Sequence, residues 1–267
     1  MDPATVLESD VLDARQRERY SRQMQLPGFG IEGQRQLASS TVLVTGVGGL
    51  GGTVALYLAA AGIGGLILVR GGTLRLDDLN RQILMRDDGV GQPRVHQAAE
   101  TILRFNPACR IEAIAESISD DNVSSLVSKV AMAVDATHNF EERYRLNDAC
   151  VSAGVPMVEA AMDGMEAQLT TVIPGRTPCL RCRSREAPPW DRRGFAVLGA
   201  VSGALACLAA LEVVKQLTGC GPPLIGELAR LDLNDLRLRR LQLQRDPRCP
   251  CCSKSQTTET NHVHSTD

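Results

Sequence analysis

The sequence predicts an α/β protein built on a doubly wound, mostly parallel sheet, and three observations carry that prediction. Short β-branched runs alternate with helix-period segments between Thr41 and Ala161, a glycine-rich loop sits at the first strand-to-helix junction, and the alternation changes character after residue 165. Ahead of the sheet, residues 11–38 read as helical with a break at Pro27-Gly28. Thr41 to Thr45 is a β-branched run, Val54 to Ala61 has helical periodicity closed by Gly62, and Leu66 to Val69 reads as the second strand. The alternation continues with a helix near Arg94–Phe105, a strand near Arg110–Ala115, a helix near Asp121–Val127, a strand over Ala131–Ala136, a helix over 141–153 and a strand over Pro156–Ala161. Strands separated by helices of this length need crossover connections, which makes the sheet parallel.

Beyond residue 165, Gln168–Ile173 reads as a strand and residues 174–194 as a loop rich in Pro and Arg. Phe195 to Leu211 then runs without a charge, and Leu224–Leu243 alternates apolar and polar residues as two short antiparallel strands. The uncharged run is short for a bilayer, so it is expected to be a helix buried on the sheet face and ended by Glu212 and Lys215. The expected organisation is a flexible leader over 1–17, one nucleotide-binding domain over 18–252 and a disordered polar tail over 253–267.

Composition narrows the function classes. The 267 residues are 43% hydrophobic with a net charge of −2, enough for one sizeable core, and at 3% aromatic that core must be aliphatic. No basic run interleaves with aromatics, so neither nucleic acid nor a membrane surface is an expected partner. The opening residues MDPATVLESD are not a secretory signal, and nine cysteines without an export signal point to a reducing, cytoplasmic setting. Cys109, Cys150, Cys207 and Cys220 read as small buried hydrophobes.

Gly46-Val47-Gly48-Gly49-Leu50-Gly51 follows a strand and opens a helix. Glycines there allow a tight turn and let a phosphate approach backbone N–H groups at the helix N-terminus, where the dipole favours negative charge. The acid that usually holds ribose hydroxyls about 20 residues on is replaced by Arg70. An arginine cannot accept a hydroxyl hydrogen bond and in dehydrogenases accommodates a 2′-phosphate, which keeps an NADP-dependent oxidoreductase as a competing reading. Cys179-Leu-Arg-Cys182 and Cys249-Pro-Cys-Cys252 are two knuckles whose thiolates can complete a tetrahedral structural zinc site. Cys251 competes with Cys252 for the last position, and spacing favours Cys252.

Taken together, Arg19-Tyr-Ser-Arg22-Gln23, the glycine loop, Leu79-Asn80-Arg81-Gln82, Val90-Gly-Gln-Pro-Arg94, Asp135-Ala-Thr-His138-Asn139 and the two knuckles resemble the ThiF/MoeB/HesA family over residues 18–252. The strings Val69–Asp78, Ala160–Met165 and Trp190–Gly203 look like its HesA branch. The resemblance implies an adenylyltransferase that uses ATP and Mg²⁺ to activate the C-terminal Gly-Gly of a small ubiquitin-like sulfur carrier of the MoaD or ThiS type, and the HesA branch implies service to nitrogenase metallocofactor maturation. It implies nucleotide contacts from the Gly46–Gly51 loop, Arg70, Asp78, Asn80, Arg81, Gln82, Arg94, His138 and Asn139. Catalytic charge would come from Arg81, Arg94 and Arg22, the last reaching into a partner subunit's site and so requiring a homodimer. Three positions depart from the family pattern: Arg70 for the ribose acid, Arg94 for the phosphate lysine and His138 for the magnesium-binding aspartate. Asp77, Asp78 or Asp135 is the expected substitute carboxylate. The loop 183–194 also lacks the thiol some relatives use after adenylation. A scaffold of the same fold that binds nucleotide or carrier without turnover is therefore the second reading.

Overall fold

A computed structural model describes residues 12–187 and 196–253. Five parallel strands and three antiparallel ones form a single sheet in the order β3-β2-β1-β4-β5-β6-β7-β8. The parallel half consists of β1 (Thr41–Thr45), β2 (Gly65–Val69), β3 (Arg110–Ile114), β4 (Met132–Asp135) and β5 (Met157–Asp163). The antiparallel half adds β6 (Glu166–Val172), β7 (Glu227–Asp232) and β8 (Arg237–Gln242). The strand order reverses between β1 and β4, and ligands of open α/β sheets bind outside the carboxyl ends of the strands at such a switch point.

The predicted crossover helices are present: α3 (Gly49–Ala61), α4 (Arg94–Phe105), α5 (Val123–Val127) and α6 (Phe140–Ala153). α3 and α6 stop at Gly62 and Gly154, both left-handed, a conformation glycine takes without a Cβ penalty. Leu58, Val95, Leu205 and Leu169 belong to the core on one face of the sheet, and Leu43, Leu126, Leu146 and Met157 to the core on the other. The core is aliphatic, as the composition requires.

Three boundaries move from their predicted places. Leu12 is buried and Asp13 caps the helix α1 (Ala14–Arg19), so the folded chain begins ahead of residue 18, where the leader was expected to end. Helix α2 (Gly30–Ser39) follows the break at Pro27-Gly28. The apolar helix, α8 (Gly199–Thr218), does not end at Glu212. Glu212 is buried, accepts a hydrogen bond from Leu224 N at 2.6 Å and pairs with Lys215 one turn on, so its charge is answered within the helix; Gly219 terminates it instead. The short helix α7 (Leu180–Arg183) interrupts the predicted loop. The polar tail from residue 254 and most of the Pro/Arg-rich stretch past residue 187 lie outside the described residues.

α8 is long and apolar enough to cross a membrane by length and composition, yet it packs on α3, α2, β5 and β6, with Val201, Leu205, Ala206, Ala209, Ala210 and Val213 buried. That is the sheet-face helix the sequence predicts. Leu205→Ala should lower unfolding stability by about 2–5 kcal/mol, read from urea unfolding of the chain in aqueous buffer.

Candidate nucleotide site

The cavity at the switch point begins with a backbone contact. Gly46 has φ 91°, and a Cβ there would lie 2.6 Å from the Ala136 carbonyl oxygen. A Cβ on Gly51 would lie 1.8 Å from the Gly46 carbonyl oxygen, so the first turn of α3 sits directly against the end of β1 only because both residues lack a side chain. The N-cap, Gly48, offers no side-chain acceptor to the first amides of this 13-residue helix. Those amides face a cavity of about 1430 Å³, an arrangement that with the helix dipole can receive an anion. Gly46, Gly48, Gly49 and Leu50 line it; Gly51 is buried behind them and acts through packing.

Six arginines line the same cavity, among them Arg70 at the end of β2, Arg75, Arg81 and Arg94. Asp78 organises two of them. Its Oδ1 accepts from Arg81 Nη2 at 3.0 Å, and its Oδ2 accepts from Arg75 N at 3.0 Å and lies 3.3 Å from Arg94 Nη2. Arg94 also donates to the Thr73 carbonyl, and Arg81 to the Asp77 carbonyl at 2.8 Å. Burial pushes the Arg70 guanidinium pKa down, and Glu142 and Asp78 pull it back up against the push of Arg94. Gln82 is buried beside Gly48, with an Oε1 that no described protein group reaches. Asn80 is not among the lining residues; its amide donates to the Val197 carbonyl at 3.3 Å and its Oδ1 accepts from Arg81 Nη1 at 2.8 Å.

The β4 end supplies Thr137, His138 and Asn139 to the lining. His138 is exposed at the surface of the cavity. The Asn139 side chain caps α6, accepting from Glu142 N at 2.8 Å. Asp135, one of the expected substitute carboxylates, is fully buried, with Oδ1 accepting from Thr137 N and Oγ1. Burial pushes its carboxyl pKa up, Arg143 pulls it down and Glu159 pushes it up further. Asp77 lines the cavity but is held by Arg75 at 2.9 Å. Each of the three candidate carboxylates is thus engaged by the protein, and the arrangement is not a ready oxygen shell for Mg²⁺.

Sequence reasoning missed the far wall of the cavity. Glu159 on β5, Arg143 on α6 and Arg183 on α7 all line it. Arg143 lies 3.3 Å from Asp135 and 3.5 Å from Glu159, and donates to the Thr137 and Ala160 carbonyls. Arg183 donates to Glu159 Oε1 at 3.0 Å. A charged residue inside an otherwise apolar strand, Val158-Glu159-Ala160, was the available signal. Arg22 is exposed and does not line the cavity of its own chain.

Below this wall the two knuckles meet. The sulfurs of Cys179, Cys182, Cys249 and Cys252 all lie within 4.8 Å of one another, with 3.6 Å between Cys179 and Cys249 and 3.3 Å between Cys182 and Cys252. A tetrahedron of 2.3 Å metal–sulfur bonds has edges of about 3.8 Å, so the cluster can hold a metal and the donor set suits zinc. Cys251 stands outside it, its sulfur accepting from Asn147 Nδ2 at 3.6 Å. Of the other cysteines, Cys109 and Cys150 are buried as expected, their thiols pushed up by burial to about 11 and about 12. Cys207 is exposed and Cys220 half-buried, against expectation: Cys207 falls on the face of α8 turned from the sheet, which an all-apolar helix does not reveal.

The sequence matches the ThiF family over residues 20–251. Protein HesA, heterocyst, of Trichormus variabilis is 59% identical over 258 residues, which cover 93% of this chain and 97% of that protein. The adenylyltransferase and sulfurtransferase MOCS3-2 of Zea mays is 39% identical over 89% of this chain, which spans 50% of that longer protein. The crystal structure of E. coli MccB with AMPCPP and MccA superposes with a TM-score of 0.76 at 26% identity, covering 88% of this chain and 74% of that one.

Arg143 neutralises two buried carboxylates, so Arg143→Met should destabilise the fold by about 3–5 kcal/mol. Urea unfolding checks this, and a loss below about 1 kcal/mol would show that the carboxylates find other partners.

Proposed function

Because the chain belongs to the ThiF family, we propose that it is an ATP-dependent adenylyltransferase that activates the C-terminal Gly-Gly of a small ubiquitin-like sulfur carrier of the MoaD or ThiS type. The single observation that carries this reading is the joining, in one cavity, of an uncapped helix N-terminus with Arg70, Arg81 and Arg94. In this reaction a carboxylate oxygen of the carrier attacks the α-phosphorus of ATP. The bond to the bridging oxygen breaks, its electron pair leaves on pyrophosphate, and the carrier keeps an acyl adenylate. No proton is required, so the protein's task is to place cations on developing phosphate charge. Arg81 and Arg94 are positioned to do so once phosphate oxygens compete with Asp78 for them, and Gln82 lies below the loop as a further polar contact.

Mg²⁺ belongs to the family chemistry, but Asp77, Asp78 and Asp135 are each engaged and His138 is a poor ligand for a hard cation, so these residues do not fit it well. The same engagement favours a second reading: a scaffold that binds nucleotide or carrier without turnover. Carrier-dependent exchange of label between pyrophosphate and ATP separates the two. The enzyme reading expects exchange that Arg81→Gln lowers by about 10²–10³-fold; no exchange with several carriers, under Mg²⁺ or Mn²⁺, leaves the scaffold. The NADP reading rests on Arg70 alone, and Arg70 already has Glu142 and Asp78 to answer its charge.

The four-cysteine cluster is proposed to hold a structural zinc ion that pins the chain beyond β8 to α7. A homodimer is proposed as well, which would bring Arg22 to the neighbouring subunit's cavity. Supporting it, Ala204, Cys207 and Leu211 form an exposed apolar stripe along α8, next to α3 with its exposed Tyr57. A cytoplasmic setting is proposed too, supported by nine cysteines that form no disulfide. Service to nitrogenase cofactor maturation is proposed from likeness to HesA proteins alone. Metal analysis should find one zinc per chain, and Cys179→Ser should lose it together with several kcal/mol of stability; full zinc content with unchanged melting would show the staple misassigned.

A further inference from the structure

Six arginines line the nucleotide cavity, and five of them already have partners: Arg75 with Asp77, Arg81 and Arg94 with Asp78, Arg143 with Asp135 and Glu159, and Arg183 with Glu159. The sixth, Arg70, makes no ion pair and no hydrogen bond through its guanidinium among the described residues. Its nitrogens also stay within reach of the cavity. Arg94 Nε and Arg183 Nη1 are sealed away from solvent, whereas no nitrogen of the half-buried Arg70 side chain is. The backbone fixes where the side chain starts: Val69 O accepts from Gly46 N at 2.8 Å and Arg70 N donates to Ile114 O at 3.0 Å, which sets Arg70 one residue from a contact with the glycine loop. Gly71 and Gly72 follow, so the turn beside the guanidinium adds no side chain of its own.

Charge and hydrogen bonding separate at this residue. Glu142 and Asp78 act on Arg70 through space and offset the push of Arg94, so the positive charge is answered. The five N–H donors are not, and a guanidinium has no acceptor to offer. What it lacks is therefore neutral oxygen rather than a further anion. In dinucleotide folds the residue at the end of the second strand stands beside the ribose, and an acid there accepts hydrogen bonds from the hydroxyls. A hydroxyl oxygen also carries two lone pairs, which a donor can use. We propose that Arg70 reads the ribose with the opposite polarity, donating to the 2′- and 3′-hydroxyl oxygens. Two oxygens on adjacent carbons suit two N–H groups of the planar fork. The sugar is then selected for its acceptors, and its hydroxyl protons are left to solvent. This deepens the adenylation reading and rests on a nucleotide occupying the cavity.

Isothermal titration of nucleotides into the full chain, without carrier, tests this apart from turnover. The probes are ATP, 2′,3′-dideoxy-ATP, 2′-O-methyl-ATP and 3′-O-methyl-ATP, each titrated into wild type and Arg70→Met. Loss of both hydroxyls removes the acceptors, so the dideoxy nucleotide should bind wild type about tenfold more weakly than ATP. Methylation removes a hydroxyl proton and keeps the oxygen, so both O-methyl nucleotides should bind within about threefold of ATP. In Arg70→Met all four should bind about as the dideoxy nucleotide binds wild type, because the donor and its acceptors act as one pair. Equal binding of ATP and dideoxy-ATP by wild type would overturn the proposal, as would O-methyl nucleotides as weak as the dideoxy compound. An Arg70→Met loss that is the same for ATP and dideoxy-ATP would also overturn it, placing the guanidinium on the phosphates. So would a preference of about tenfold or more for adenosine 2′,5′-bisphosphate over AMP in wild type, the mark of an anion site. Pyrophosphate exchange by a wild type indifferent to the sugar hydroxyls would leave the enzyme standing and remove this ribose contact. The expected binding pattern without exchange would do the reverse, and absence of ATP binding would remove both.

Discussion

The approach of α3 to the end of β1 sets the position of everything that lines the cavity. It depends on two missing side chains, at Gly46 and Gly51, because a single methyl at either would overlap a carbonyl oxygen of the neighbouring backbone. With the helix seated there, its first amides face the ends of β2 and β4. Arg70 and His138 arrive from those two strands, and the long loop after β2 folds back to bring Asp78, Arg81 and Arg94. The same helix packs extensively against α8 on its other side.

Charge in the cavity is organised around carboxylates that are already paired with arginines. Asp78 ties Arg81 and Arg94 together, and Glu142 and Asp78 stabilise Arg70 in a setting where burial alone would weaken its charge. Arginines held in this way are pre-oriented, so an anionic ligand would displace one carboxylate contact rather than order several long side chains. On the opposite wall, Arg143 and Arg183 hold Asp135 and Glu159, linking the end of the parallel sheet to the first cysteine knuckle. The two networks line one and the same cavity.

Periodicity and glycine placement located the parallel sheet well, because fully buried strands and their crossover helices leave strong local patterns. Boundaries failed where a residue's burial or hydrogen bonding depended on tertiary packing. Glu212 looked like a helix end and is instead an interior residue whose partner, Leu224 N, follows after the next loop. Leu12 looked like part of a leader and is buried by packing that its own polar surroundings do not announce. The phosphate-side arginines were legible since they sit within short motifs, whereas Glu159 and Arg183 lie far apart in sequence and belong to no common motif.

By itself, the sequence determined the fold class, the glycine loop, the arginines near it and the two cysteine knuckles, all features set by spacing within a few residues. Only the tertiary structure decided that Cys252 and not Cys251 faces the other three sulfurs, that the available carboxylates are already engaged, and that Glu159 and Arg183 share a wall with the glycine loop. The physical reason is the same in each case. Spacing along a chain fixes which groups can neighbour each other locally, but the partner that satisfies a buried donor, acceptor or charge is chosen by where distant strands and helices come to rest.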